Sequence, residues 1–99
     1  MPLQRYAFLV KGPGYSPQLP RAELPSPHFH TTVIGVSSLQ EAIEQALTLA
    51  AEGIQLIELC GGFRSAEAQA IREALAGRIP IGLVSYSEEE CLELEKRFQ

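Results

Sequence analysis

Apolar positions along the chain fall into short runs with two different periods. Residues 4–10, QRYAFLV, alternate as an extended segment, with Tyr6, Phe8 and Val10 on one side and Ala7 and Leu9 on the other. Both sides are apolar, which predicts a central strand covered on both faces. Residues 28–36, HFHTTVIGV, predict a second strand, because β-branched Thr31, Thr32, Val33 and Ile34 favour the pleated conformation. From Leu39 the period becomes helical. Leu39, Ile43, Ala46, Leu47 and Ala50 define one apolar stripe, with Ser38 and Glu41 as a capping box before it and Gly53 as the stop after it. Residues 55–60, QLIELC, predict a third strand. A second helix follows, capped by Ser65, striped by Ala68, Ile71, Ala74 and Leu75, and closed by Gly77. Residues 79–85, IPIGLVS, predict a fourth strand. Ser87 and Glu90 then open a third helix whose inner stripe is Cys91, Leu94 and Phe98.

The resulting order, β-β-α-β-α-β-α, predicts a single α/β domain over residues 1–99. The expected architecture is a four-stranded, mostly parallel open sheet with three helices in a Rossmann-like arrangement. Between the first two strands lies KGPGYSPQLPRAELPSP, residues 11–27, with five prolines and two glycines. A long loop in so small a domain is more often functional, or folded over the body as a cover. Residues 17–19 are expected to form one turn, with Leu19 and Leu24 pinning the loop to the core. Three helices are too few to cover both faces of four strands. The apolar surface left over predicts a homo-oligomer, most simply a two-fold dimer.

Composition narrows the chemistry. The chain has 99 residues and a net charge of −4, and all twelve acids are glutamate, which removes aspartyl nucleophiles and Asp-led calcium loops. An acidic chain repels phosphate backbones, so no nucleic-acid partner is expected. The apolar runs are far shorter than the roughly 20 residues of a membrane span, so no membrane partner is expected. Two cysteines make no disulfide framework, and no secretory leader is recognisable at the amino terminus. The expected location is cytoplasmic. The cofactor is unknown: neither Gly12-Pro13-Gly14 nor Cys60-Gly61-Gly62-Phe63 matches a nucleotide-binding fingerprint.

In parallel α/β sheets, ligands bind beyond the carboxyl ends of the strands. Four segments should converge there: residues 11–15, 36–38, 60–65 and 85–87. The candidate ligand-binding residues are Gly12, Gly14, Tyr15, Ser37, Gly61, Gly62, Phe63, Arg64, Ser65 and Tyr86, with Lys11 and Arg64 as cations. Helix N–H groups and glycine backbone at such a rim suit a small polar or anionic molecule. The competing explanation is that every βα unit needs Gly and Ser for its turn and cap.

Cys60 and Glu58 are the candidate catalytic residues. Cys60 precedes a helix start and Arg64, a setting that would lower a thiol's pKa, although most strand-end cysteines are small buried hydrophobes. Glu58 is an acid in an apolar strand. It reads as a general base, as a partner for Arg5, or as an interface residue. His28 and His30 share a strand face at metal-binding spacing but lack a visible third ligand. They read as ordinary strand-start histidines, and no metal site is assigned.

The strand ending in a Gly-Pro-Gly turn, followed by FHTTVIGVSSLQEA, EGIQLIELCGGF and PIGLVSY, resembles a group of short prokaryotic proteins known only as a domain of unknown function. The resemblance covers nearly the whole chain, and its most specific block runs from Gly53 to Phe63. It implies the fold and the importance of the 60–63 turn, and it carries no activity. The same block also looks like one βα unit of a (β/α)8 barrel. The leading reading is a binder or enzyme acting on a small polar or anionic molecule at the rim; the alternative is a non-catalytic oligomeric interaction module with no small-molecule site.

Overall fold

The computed structural model describes residues 2–98. The elements in chain order are β1 (Arg5–Lys11), β2 (Ala22–Leu24), β3 (His30–Val36), α1 (Leu39–Ala51), β4 (Leu56–Leu59), α2 (Ser65–Leu75), β5 (Ile81–Leu83) and α3 (Glu88–Arg97). They form an α/β fold with one mixed sheet of five strands in the order β2-β3-β1-β4-β5. β1 pairs in parallel with β3 and β4, β4 pairs in parallel with β5, and β2 runs antiparallel to β3 at the edge.

Three expectations are corrected here. The sheet has five strands and not four. β2 lies inside the proline-rich loop, is three exposed residues long and includes Ala22 and Glu23, which favour strands weakly. It is held to β3 by its ladder and by Glu23, whose carboxylate meets Thr32 Oγ1 at 2.9 Å and His30 Nε2 at 2.5 Å. Secondly, the Rossmann-like arrangement is not confirmed, because the two packed helices lie on one face of the sheet. The connections β3→β4 and β4→β5 both advance toward the β5 edge, so right-handed crossovers place α1 and α2 on the same face. α1 and α2 accordingly pack against each other. The connection β1→β3 runs the other way, where right-handedness calls for the opposite face. There the chain supplies a loop instead of a helix. Thirdly, β1 is central but helices cover only one of its sides.

On the covered face Ala7, Leu9, Ile34, Val36, Ile57 and Leu59 meet Ala42, Ala46 and Leu49 of α1 and Ala68, Ile71 and Leu75 of α2. Of the stripe expected for α1, Ala46 is buried and Leu39, Ile43 and Ala50 pack against the core, but Leu47 is 37% exposed and Leu49 is fully buried in its stead. The opposite face carries Tyr6, Phe8 and Val10 of β1, Thr31 and Val33 of β3, and Glu58 of β4, all half-buried. Leu19 and Leu24, expected to pin the loop, are exposed at 54% and 66%. A turn does form there, closed by the Leu19 N–H to Ser16 carbonyl bond of 3.0 Å.

Helix ends follow local rules. Ser38 caps α1, accepting from the Glu41 N–H at 3.2 Å, and Ser87 caps α3, accepting from the Glu90 N–H at 3.3 Å. Gly53, at φ +91°, ends α1 as expected. At α2 the N-cap is Arg64, and Ser65 is the first helical residue and not the cap. α3 departs most from expectation. Cys91, Leu94 and Phe98 are all exposed, and α3 buries none of its residues. The principal packings join α1 to α2, β1 and β3, and α2 to β5, and α3 takes no part in them. Among the described residues no helix is long and apolar enough to cross a membrane.

Candidate functional site

Parallel pairing brings the strand ends to one rim. The Gly12 N–H donates to the Val36 carbonyl at 2.9 Å, the Cys60 N–H to Leu9 at 3.1 Å, and the Val84 N–H to Leu59 at 3.0 Å. The segments after β1, β3, β4 and β5 therefore converge as the sequence implied. The connections leaving β1 and β4 go to opposite sides, the place where open α/β sheets commonly leave a ligand crevice.

Protein groups approach one another closely along that rim. The Cys60 Sγ accepts from the Lys11 N–H at 3.2 Å and from the Gly62 N–H at 3.4 Å. A Cβ built on Gly62 would lie 2.9 Å from the Lys11 carbonyl oxygen. The glycines make room for neighbouring protein groups. The Tyr15 ring lies on Gly12 and Gly35, where added Cβ atoms would stand 3.1 and 2.7 Å from it, and Tyr86 Oη lies 2.5 Å from a Cβ on Gly61. Gly14, at φ +85°, shapes the turn that turns Tyr15 inward. Phe63 is buried in the core, and the Lys11 ammonium stands 5.8 Å from its ring centroid.

The rim's charges are also internally matched. The Glu67 carboxylate accepts from Lys11 Nζ at 2.6 Å and from the Arg64 N–H at 2.9 Å, which places an acid at the start of α2. The Glu41 carboxylate accepts from the Ser37 N–H at 2.8 Å and from its hydroxyl at 3.1 Å, doing the same for α1. α3 begins with Glu88, Glu89 and Glu90. An external anion at α1 or α2 would have to displace a built-in carboxylate. Of the two predicted cations, Lys11 is already paired, and Arg64 is exposed at the N-cap of α2.

Glu67 makes this arrangement testable. Lys11 first, then the Arg64 N–H, hold its carboxyl below the ordinary value near 4.5. A carboxyl depressed in the folded state contributes stability that is complete above its ordinary range and is lost as pH falls through the folded value. Glu67→Gln is expected to cost about 1 kcal/mol or less at neutral pH, given partial exposure. It should also make the loss of stability between about pH 5 and pH 3 shallower than in the parent protein. Urea melts across that range check it, and parallel acid limbs would contradict it.

The candidate catalytic residues occupy different settings. Glu58 does not pair with Arg5, whose guanidinium lies beside Gly53. Its Oε1 accepts from the Tyr6 hydroxyl at 2.5 Å on the sheet face that lacks helices. Burial, then the hydrogen bond to Glu58, holds the Tyr6 phenol well above its ordinary range. Tyr6 also stacks on Phe29 with centroids 5.9 Å apart. Glu58 lies beside Gly82, where a Cβ would meet its Cγ at 3.3 Å, in a hollow of about 250 Å³ bounded by Leu83 and Val84. Sequence reasoning missed Tyr6, although register alone places 6 and 58 on one face. Cys60 has no imidazole within reach. His30 pairs with Arg5 at the opening of β1, six residues and roughly 20 Å from the carboxyl rim. His30 instead engages Glu23, and the described residues contain no group of three or more His, Cys, Asp or Glu suited to a metal.

A second hollow, of about 210 Å³, lies between the loop and the open sheet face, lined by Val10, Tyr15, Leu19, Pro20 and Val33 among others. It is mainly apolar and smaller than the ~300–1,000 Å³ of ordinary ligand sites.

Comparison with curated proteins finds no match, and comparison with solved structures finds none. Residues 4–99 match a family described as "Family of unknown function (DUF6506)". The likeness spans every strand and helix described above, including the 60–63 turn and the open sheet face, and the chain belongs to that family.

Proposed function

We propose that this protein is an interaction module whose uncovered sheet face docks against the same face of a second copy. The observation that carries the reading is the one-sided sheet. α1 and α2 share a face, and the other carries Tyr6, Phe8, Val10 and Val33, partly buried, with Val84 37% exposed beside them. A sheet face that no helix covers leaves apolar surface of the kind that marks interfaces. Two-fold symmetry makes such a face its own complement. The close contacts along the rim and the paired Lys11 weigh against the other reading, in which a small polar or anionic molecule binds at the strand ends.

The test is sedimentation velocity at micromolar concentration. The parent chain is expected at about twice 10.8 kDa. Phe8→Glu, which sets a charge at the centre of the face, is expected to sediment as a single chain with its far-UV circular dichroism unchanged. A single-chain parent, or a Phe8→Glu variant that stays paired, would overturn the reading.

A further inference from the structure

We infer that the hollow between the proline-rich loop and the sheet is a binding site for a small uncharged aromatic molecule, of one substituted ring or two fused rings. The site lies within one chain and does not rest on the pairing of sheet faces.

The loop is fastened without filling the space beneath it. The Arg21 guanidinium donates to both oxygens of Glu52 at the end of α1, at 2.7 and 3.1 Å. Just beyond, β2 lies on its ladder with β3, and Glu23 holds Thr32 and His30. These fastenings are polar and sit at the margin of the loop. Leu19 reaches the border of the hollow yet stays 54% exposed, and about 210 Å³ remains open over the sheet.

The walls follow from register. Val10 pairs with Gly35 across β1 and β3, and Val33 pairs with Ala22 across β3 and β2, so four adjoining positions on three strands make the floor. Tyr15 and Pro20 supply ring-shaped walls from the loop. Tyr15 is seated by the strand itself. Gly35 follows the β-branched run of β3, at a cost to the strand, and a Cβ there would lie 2.7 Å from the Tyr15 ring. The wall is thus in place before a ligand arrives, which spares the entropy of ordering it on binding.

Size and polarity define the occupant. An apolar cavity of about 150 Å³ suffices to take up benzene. A hollow of about 210 Å³ adds room for a substituent or a second fused ring, and not for a drug-sized molecule. Among the described residues no charged side chain lines it, so nothing there would balance a charge on the ligand. Ser16 turns its polar groups to its own turn: its Oγ accepts from the Gln18 N–H at 3.2 Å and its carbonyl from the Leu19 N–H at 3.0 Å. Water in the hollow finds few free partners and is readily displaced by an apolar group. The Tyr15 ring favours an aromatic occupant, because paired rings gain beyond the area they bury.

Indole titrated into the full chain tests this, read by its own fluorescence. The chain has no tryptophan, so emission excited beyond tyrosine absorption comes from the probe alone. A saturable shift to shorter wavelength is expected, at one site per chain, with a dissociation constant of roughly 1 mM or below. Ala22→Phe changes an exposed position and fills the hollow, and it is expected to weaken binding about tenfold or more. Tyr15→Ser is expected to do the same, whereas Tyr15→Phe keeps the ring and stays within about twofold of the parent. Phe98→Ser removes an exposed ring that does not line the hollow and is expected to leave the titration unchanged. Phe8→Glu is expected to bind indole within a few-fold of the parent, because Phe8 does not line the hollow either. No saturable shift in the parent, parental binding by Ala22→Phe, or loss of binding in Phe98→Ser would each overturn the site. A shift seen in a paired parent and absent from a single-chain Phe8→Glu variant would place the ring between copies and overturn it as well.

Discussion

Leu59→Ala is expected to remove about 2–5 kcal/mol of stability, the usual cost of truncating a fully buried leucine in a core that relaxes only partly. Leu59 is wholly buried on β4, paired with Leu9 of β1 and Leu83 of β5, on the face covered by the two packed helices. Small domains hold only about 5–15 kcal/mol in total, so this one change should consume a large share. Urea unfolding at fixed protein concentration should show a lower midpoint with an unchanged slope. Leu47→Ala is the control. That leucine is partly exposed on α1, and its loss should cost far less. Equal costs at the two positions would mean that the covered face has been misassigned.

Gly62→Ala carries the second large effect, expected at about 1–3 kcal/mol. The new methyl would meet the Lys11 carbonyl oxygen at 2.9 Å, and that oxygen belongs to the backbone at the end of the central strand and cannot swing aside. The Cys60 sulfur lies 3.4 Å from the same point. Relief of the clash therefore has to loosen the β1–β4 junction, and alkylation of Cys60 should quicken along with the fall in stability. Gly14→Ala separates sterics from backbone conformation. A Cβ there meets nothing within 4 Å, but φ is +85°, so its cost of about 1 kcal/mol should arise without any change at Cys60. A Gly62→Ala protein with parental stability and parental thiol reactivity would show that the junction is not close-packed.

Much of the framework was legible because it rests on local chemistry. Ser38 and Ser87 stand where a side-chain oxygen must receive a helix N–H, and Gly53 stands where φ is positive. β1, β3 and β4 were legible from runs of β-branched and aromatic residues. β2 was not, because three residues of ordinary propensity become a strand only when β3 offers a free edge. The face that each helix occupies was not legible either. It follows from strand order, which turns on whether β3 lies to one side of β1 or the other. The convergence of the rim could be read from parallel pairing. Its occupancy could not, since Glu41 and Glu67 look in sequence like ordinary first-turn acids. The Cys91, Leu94 and Phe98 stripe, expected to face inward, is exposed, because periodicity says that a helix has an apolar face and not that its own sheet offers a surface for it.

Both margins of the sheet are only three residues long, and prolines stand close by: Pro20 and Pro25 flank β2 and Pro80 precedes β5. A strand from another molecule would find almost no ladder to extend there. Growth into fibrils by lateral addition is thus discouraged at each border, and a protein with an exposed greasy surface can stay in solution without polymerising edge to edge.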